Sequence, residues 1–391
     1  MSTILGLQVA LLILCFYCSS NVNGASCNSL KDCVRCVSMK SWVRSKNCRW
    51  CPLTNSCHTY MSMYNVCPAS FDKAANCYVV PKGKYLRDNA YINVLLSAVA
   101  YSDHPQECLN KLLPDGGFKL VAAIGRKCSG SLINYKECFA AVAISDHLKR
   151  IVVANRGTTS TSQLIHQMLN ALIVPKKSFK TGGEVQQYFN DAFYKLYPCV
   201  SKCVKDLRNS HPDYDLAVTG HSLGGAIASL TAVSLVYDKI VPKDKMVLYT
   251  YGQPRVGDKT YAMSFDKIVK SSWRVVHSND IVARIPTQTN LNLNKQPYHH
   301  KTEVYYPAVN MPPDAPYKVC ARDEDPTCVS SNFFNPFNIL TYIKHHQYYF
   351  NTQVGQVCSS IGPKRKRSDD GEEISAMADM FTEDNCRVIH F

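Results

Sequence analysis

Apolar positions fall into three regimes along the chain. Residues 9–17 form an uninterrupted apolar run inside a charge-free stretch that reaches to Lys31. Residues 27–77 are punctuated by eight cysteines. From about Asp88 the pattern alternates between helical and strand spacing. Residues 90–100 place Ile92, Leu95, Leu96 and Val99 on one helical face. Residues 138–144 and 151–154 read as strands, and 184–208 as one or two helices. Residues 216–219 read as a buried strand, and 226–236 as a helix that is apolar nearly all round and therefore buried. Strands follow at Met246–Tyr251 and 274–277, with a hairpin-like pattern over Glu303–Tyr306. Strands alternating with helices predict an α/β class with a mostly parallel sheet covered on both faces. Hydrophobic pattern is lost from about Ser359, and residues 359–391 are expected to be a disordered tail. The basic run Lys364 to Arg367 in that tail also fits a processing site.

The first apolar run is short for a membrane span of about 20 residues. Small and polar residues follow it, from Ser19 to Ala25. It reads as a secretory signal peptide over residues 1–24, although it lacks the usual basic start; an uncleaved anchor is the alternative. Cysteine usage agrees with export. The chain has nineteen cysteines; Cys15 and Cys18 lie in the leader, and seventeen remain. In an exported chain these read as disulfides. The odd count leaves a thiol unpaired within the chain, with Cys386 as the candidate. Cys320 and Cys328 are expected to close a local loop, and Cys358 to tie back to Cys108, Cys128 or Cys138.

Residues 25–80 carry the spacing C-x5-C-x2-C-x11-C-x2-C-x5-C, with Trp50 before a cysteine. About fifty residues cannot build a large core without cross-links. The spacing resembles the plexin–semaphorin–integrin cysteine module, which implies a protein partner of unknown identity. Its two C-x2-C pairs leave zinc as an alternative to disulfides. The net charge of +14 is scattered apart from residues 364–367. It permits weak contact with anionic lipid surfaces. No nucleic-acid motif is present.

Residues 220–225, Gly-His-Ser-Leu-Gly-Gly, fit G-x-S-x-G between a predicted strand and a predicted helix. In that setting Ser222 sits on a tight turn with its hydroxyl above the sheet. The N–H of Leu223 then faces the carbonyl oxygen of a bound ester. A serine nucleophile needs a base and a carboxylate to orient it. Asp280 follows a strand and is the preferred carboxylate, with Asp258 as competitor. His277, His299, His300, His345 and His346 are candidates for the base. His277 is close in sequence to Asp280, and His299 and His300 precede a strand.

Five blocks narrow this choice. They are Asn155-Arg156-Gly157-Thr158-Thr159, the 220–225 elbow, Tyr251-Gly252-Gln253-Pro254-Arg255-Val256-Gly257, Val276-His277-Ser278-Asn279-Asp280-Ile281-Val282 and His346-Gln347-Tyr348-Tyr349-Phe350. In this order they resemble the class 3, or fungal-type, triacylglycerol lipases over residues 88–358. With the cysteine module upstream, the chain looks like the secreted nematode members. The resemblance implies an α/β-hydrolase fold with Ser222 as nucleophile, Asp280 as orienting acid and His346 as base. It also implies Thr158 and Leu223 at the oxyanion hole, a lid over residues 160–168, and a lipid ester as substrate at a lipid–water interface. No metal or cofactor is expected. One departure stands before the elbow: Val185-Gln186-Gln187-Tyr188-Phe189 replaces the family's frequent V-H-x-G-F. Phospholipase A1 or non-lipid acyl esterase activity on the same scaffold is the runner-up. A catalytically inactive binding protein is the rival of another class.

Overall fold

The computed structural model describes residues 27–30, 33–38, 48–51, 56–59, 84–126, 128, 138–158, 175–288, 295–320, 324–325, 327–329 and 335–361. The expected signal segment, the expected lid over 160–168 and the tail from 362 onward, with Cys386, lie outside them. The chain divides into two compact units, residues 1–74 and 75–391.

In the first unit a short helix, Cys33–Ser38, precedes the antiparallel pair Cys48–Cys51 and Ser56–Thr59. Trp50 lies opposite Cys57 and is buried. Disulfides join Cys27 to Cys48 and Cys36 to Cys57. The sulfurs of Cys27, Cys48 and Cys57 come close together, but each is in a disulfide and offers no thiolate to a metal.

The second unit is built on an eight-stranded sheet. Its strands are β1 (Lys119–Arg126), β2 (Cys138–Ser145), β3 (Arg150–Asn155), β4 (Asp215–His221), β5 (Met246–Tyr251), β6 (Ser272–His277), β7 (Glu303–Tyr306) and β8 (Lys318–Cys320). They lie side by side in chain order. The centre, β3 to β7, is parallel; β1, β2 and β8 join antiparallel at the flanks. Parallel neighbours need crossover connections, and helices supply those from β3 through β6. The helices used below are α1 (Arg87–Val99), α2 (Pro105–Leu112), α3 (Gln187–Ser210), α4 (Leu223–Tyr237), α5 (Lys259–Ile268) and α6 (Ile339–Gln347). Residues 184–186, expected as helix, instead pair as a short strand with Lys176–Ser178 ahead of α3.

Successive strand residues point to opposite faces. On β4, Leu216 and Val218 join the apolar cluster that includes Phe193 and Val200 of α3 and Leu230 of α4. Thr219 faces the other way and hydrogen-bonds Ser97 of α1 at 2.7 Å. The sheet is therefore covered on both faces, and the strands that carry the site are buried along their length. Burial of this kind is the main driving force for the fold, at about 25 cal/mol per Å² of apolar area.

Disulfides join Cys108 of α2 to Cys358, Cys128 to Cys138, and Cys320 to Cys328. The local 320–328 loop is as expected, and Cys108 is the partner of Cys358. Among the described residues the free thiol is Cys203, buried on α3, and burial pushes it up to about 12.

Candidate active site

Ser222 stands where β4 ends and α4 begins, with its backbone at φ 61° and ψ −131°. Side-chain-bearing residues avoid that region unless their surroundings enforce it. Glycines make the enforcement possible. A Cβ on Gly220 would overlap the carbonyl of Gly224, and one on Gly224 would overlap the carbonyl of Asn155. The first turn of α4 thus packs directly on the backbone at the end of β3.

That same packing brings up the segment after β3. A Cβ on Gly157 would lie 2.6 Å from the His221 carbonyl and 3.2 Å from Ser222 Cβ. Thr158 is the next residue and is half-buried. Leu223 opens α4, so its N–H has no partner within the helix and lies at the positive end of the helix dipole.

Parallel register levels the strand ends. His221 pairs with Tyr251, and Tyr251 with Val275. Asp280 lies in the turn after β6, wholly buried. Its Oδ1 accepts from the N–H of Val282 at 2.8 Å, and the Tyr349 hydroxyl donates to its Oδ2. His346 Nδ1 lies 2.9 Å from each carboxylate oxygen, and this histidine too is fully buried. Burial pushes the Asp280 carboxyl up. The charge of His346 and its hydrogen bond, together with that from Tyr349, outweigh burial and hold it below the ordinary aspartate value. With Nδ1 occupied by Asp280, the other ring nitrogen of His346 is left for a proton acceptor's role. His346 Nε2 and Ser222 Oγ are both buried with no hydrogen-bond partner among the described residues. Two unpaired buried polar atoms are costly unless a function requires them.

The competing residues are engaged elsewhere. Asp258 caps α5, accepting from Tyr261 N at 2.8 Å. His277 staples loops: its Nδ1 lies 3.0 Å from His345 O and 2.7 Å from Tyr348 O, and its Nε2 3.0 Å from Val309 O. His299 meets the carbonyl of Ala283 at 2.9 Å. His300 stacks on Phe265, with ring centroids 3.8 Å apart. His345 Nδ1 accepts from Asn279 N at 3.2 Å, and burial pushes it down to about 4.

Two contributors escaped the sequence reading. Gly252 follows β5 with φ +57°, and a Cβ there would strike Asp280 Oδ2 and lie 2.7 Å from His346 Nδ1. Only a glycine leaves room for that pair. Tyr349 supplies the extra donor to Asp280. Both lie inside the motif blocks 251–257 and 346–350, but nothing in the residue string says which carboxylate they serve.

Residues 152–290 match the family model described as Lipase (class 3). A lipase of Caenorhabditis elegans is 31% identical over 293 residues, spanning 69% of this chain and 81% of that protein. The chain belongs to the class 3 lipase family. A secreted mono- and diacylglycerol lipase of Fusarium solani is 28% identical over 259 residues, spanning 65% of this chain and 72% of that protein. Among solved structures, the triacylglyceride lipase of Rhizomucor miehei matches with a TM-score of 0.57 at 26% identity, covering 68% of this chain and 95% of that one. As a member of the class 3 lipase family, with an α/β-hydrolase fold, the chain is a serine carboxylic ester hydrolase.

Proposed function

We propose that the chain is a secreted enzyme that hydrolyses lipid esters through an acyl-enzyme on Ser222. His346 Nε2 takes the Ser222 proton as Oγ attacks the ester carbonyl, and Asp280 holds the imidazole and stabilises its cation. The Leu223 N–H and Thr158 face the oxyanion of the tetrahedral intermediate. The proton then passes from His346 to the leaving alcohol, and a water activated by the same histidine hydrolyses the acyl group. The observation that carries this reading is the arrangement around His346: one ring nitrogen on a buried carboxylate, and the other without a partner among the described residues, as is the hydroxyl of a serine in a strained elbow.

Two further observations support a lipid substrate presented at a surface. Phe337 and Leu340, at the head of the helix that carries His346, are 94% and 78% exposed. Apolar side chains of that size in water suit contact with a lipid interface. The name of the Fusarium relative also states secretion and acylglycerols. Export of this chain rests on its apolar leader and on its disulfides. The cysteine module (25–80) and the hydrolase domain (88–358) act as separate units in this reading, each with its own disulfides.

The test is fatty-acid release by the secreted protein from emulsified triacylglycerol, from phosphatidylcholine vesicles and from a soluble short-chain ester. Release from triacylglycerol that is lost in Ser222→Ala supports the proposal. Release from phospholipid alone would move the substrate to the phospholipase A1 class, and no release from any of them would leave a binding protein.

A further inference from the structure

The elbow contains a second histidine whose role the hydrolytic scheme does not use. His221 is buried, and its Nε2 lies 2.7 Å from the backbone carbonyl of His346. Its Nδ1 lies 2.9 Å from the Tyr101 hydroxyl, and its ring stacks on the His346 ring at 4.5 Å and 27°. A carbonyl can only accept, so Nε2 carries the hydrogen and donates it. A neutral ring then has a lone pair on Nδ1, which takes the Tyr101 hydroxyl as donor.

Resting on the functional reading above, we propose that Tyr101 and His221 are positioning residues for His346. The His346 carbonyl fixes the tautomer of His221, Tyr101 anchors the Nδ1 edge that this tautomer leaves as acceptor, and His221 holds the main chain and one ring face of His346. Asp280 grips only the Nδ1 edge of the base. The carbonyl bond and the stacked ring restrain the remaining freedom, so that Nε2 keeps one position from which to take the serine proton. The arrangement needs His221 to be neutral, because a cation stacked there would oppose the charge that His346 gains in each turnover. Burial first, and then the proximity of His346, push His221 down to about 3, so the neutral form is present throughout the working range. Tyr101 also accounts for a glycine in the oxyanion segment, since a Cβ on Gly157 would run into the Tyr101 hydroxyl.

The test compares wild type, Tyr101→Phe, His221→Gln, His221→Leu and the double variant Tyr101→Phe/His221→Gln. Each is assayed on p-nitrophenyl butyrate, with active sites titrated by a fluorophosphonate. Residues that hold metal-bound histidines in place commonly alter activity by about 10- to 100-fold when removed, and the same scale is expected for a residue that holds a histidine base. Tyr101→Phe should lower kcat about 10-fold and His221→Leu about 100-fold, with KM within about threefold. His221→Gln keeps a side-chain N–H for the His346 carbonyl and should recover part of the loss. In its background Tyr101→Phe should cost little more, because the imidazole it anchors is gone. Nitrogen-15 spectra of histidine-labelled protein should show His221 as the Nε2–H tautomer in wild type, with its Nδ1 resonance shifted in Tyr101→Phe by loss of the donor. Full kcat in Tyr101→Phe and His221→Gln, or an Nδ1–H tautomer in wild type, overturns the proposal. If wild type neither turns over the ester nor is labelled at Ser222, the functional reading fails instead.

Discussion

His346 Nδ1 sits 2.9 Å from both carboxylate oxygens of Asp280, and neither side chain reaches solvent. A buried carboxylate without partners would be costly. Asp280 has three kinds: the His346 ring, the Tyr349 hydroxyl and the Val282 N–H. The pair is therefore stable as built, and its atom without a partner among the described residues is His346 Nε2.

From this pairing, His346→Ala should be as inactive on a soluble ester as Ser222→Ala, and the double variant no worse. Members of such a unit are strongly non-additive, and each loss costs several orders of magnitude in kcat. His345→Ala should retain most activity, because His345 bonds the backbone of Asn279 and not Asp280. Steady-state kinetics of the four variants decide the point.

Asp280 also sets a pH dependence of stability. Its carboxyl is held below the ordinary value, so the folded state favours the ionised form. The stabilisation is complete above the unfolded value of about 3.9 and is lost as pH falls through the lower folded one. Asp280→Asn should therefore melt below wild type at pH 7, and the gap should narrow as the pH falls below the unfolded value of about 3.9. Thermal denaturation from pH 7 to 3 measures it; a constant gap would contradict the assignment.

Much of this site was legible in the residue string, for a physical reason. The elbow glycines and the buried β4–α4 pair leave a dense local signature, because the turn tolerates no larger side chain. Sequence chemistry alone left five histidines open. What separates them is which carbonyl or carboxylate each ring meets, and those partners lie up to 71 residues away. The antiparallel flank was harder. β1 contributes Ala122, Ala123 and Gly125, which carry little strand preference and leave no strand signal in the string. Gly252 was visible only as part of a motif; its reason is the Asp280–His346 pair that fills the space in front of it.

Gly252→Ala follows from that last point. The added methyl must displace Asp280 or His346, at a backbone angle that itself costs about 1–2 kcal/mol for an L-residue. The variant should lose about 100-fold or more in kcat, since misplacement by about 1 Å has that effect. A variant with unchanged kcat would show that the pair has slack.

Phe337 and Leu340 give a separable prediction. Replacing both by Asp should weaken adsorption to triacylglycerol emulsions and reduce activity there severalfold. Activity on a soluble ester should stay near wild type, because both side chains are in water and apart from the buried pair. Flotation with the emulsion, run beside the soluble assay, separates the two effects. An equal loss on both substrates would place these residues in folding instead.

The central claim is that Ser222 is the nucleophile. The direct measurement is reaction of the native protein with a fluorophosphonate, followed by peptide mapping in a mass spectrometer. One adduct per chain, on Ser222, and absent after acid unfolding, is the predicted result. Labelling at another serine, or none on protein of native fold, would contradict the account.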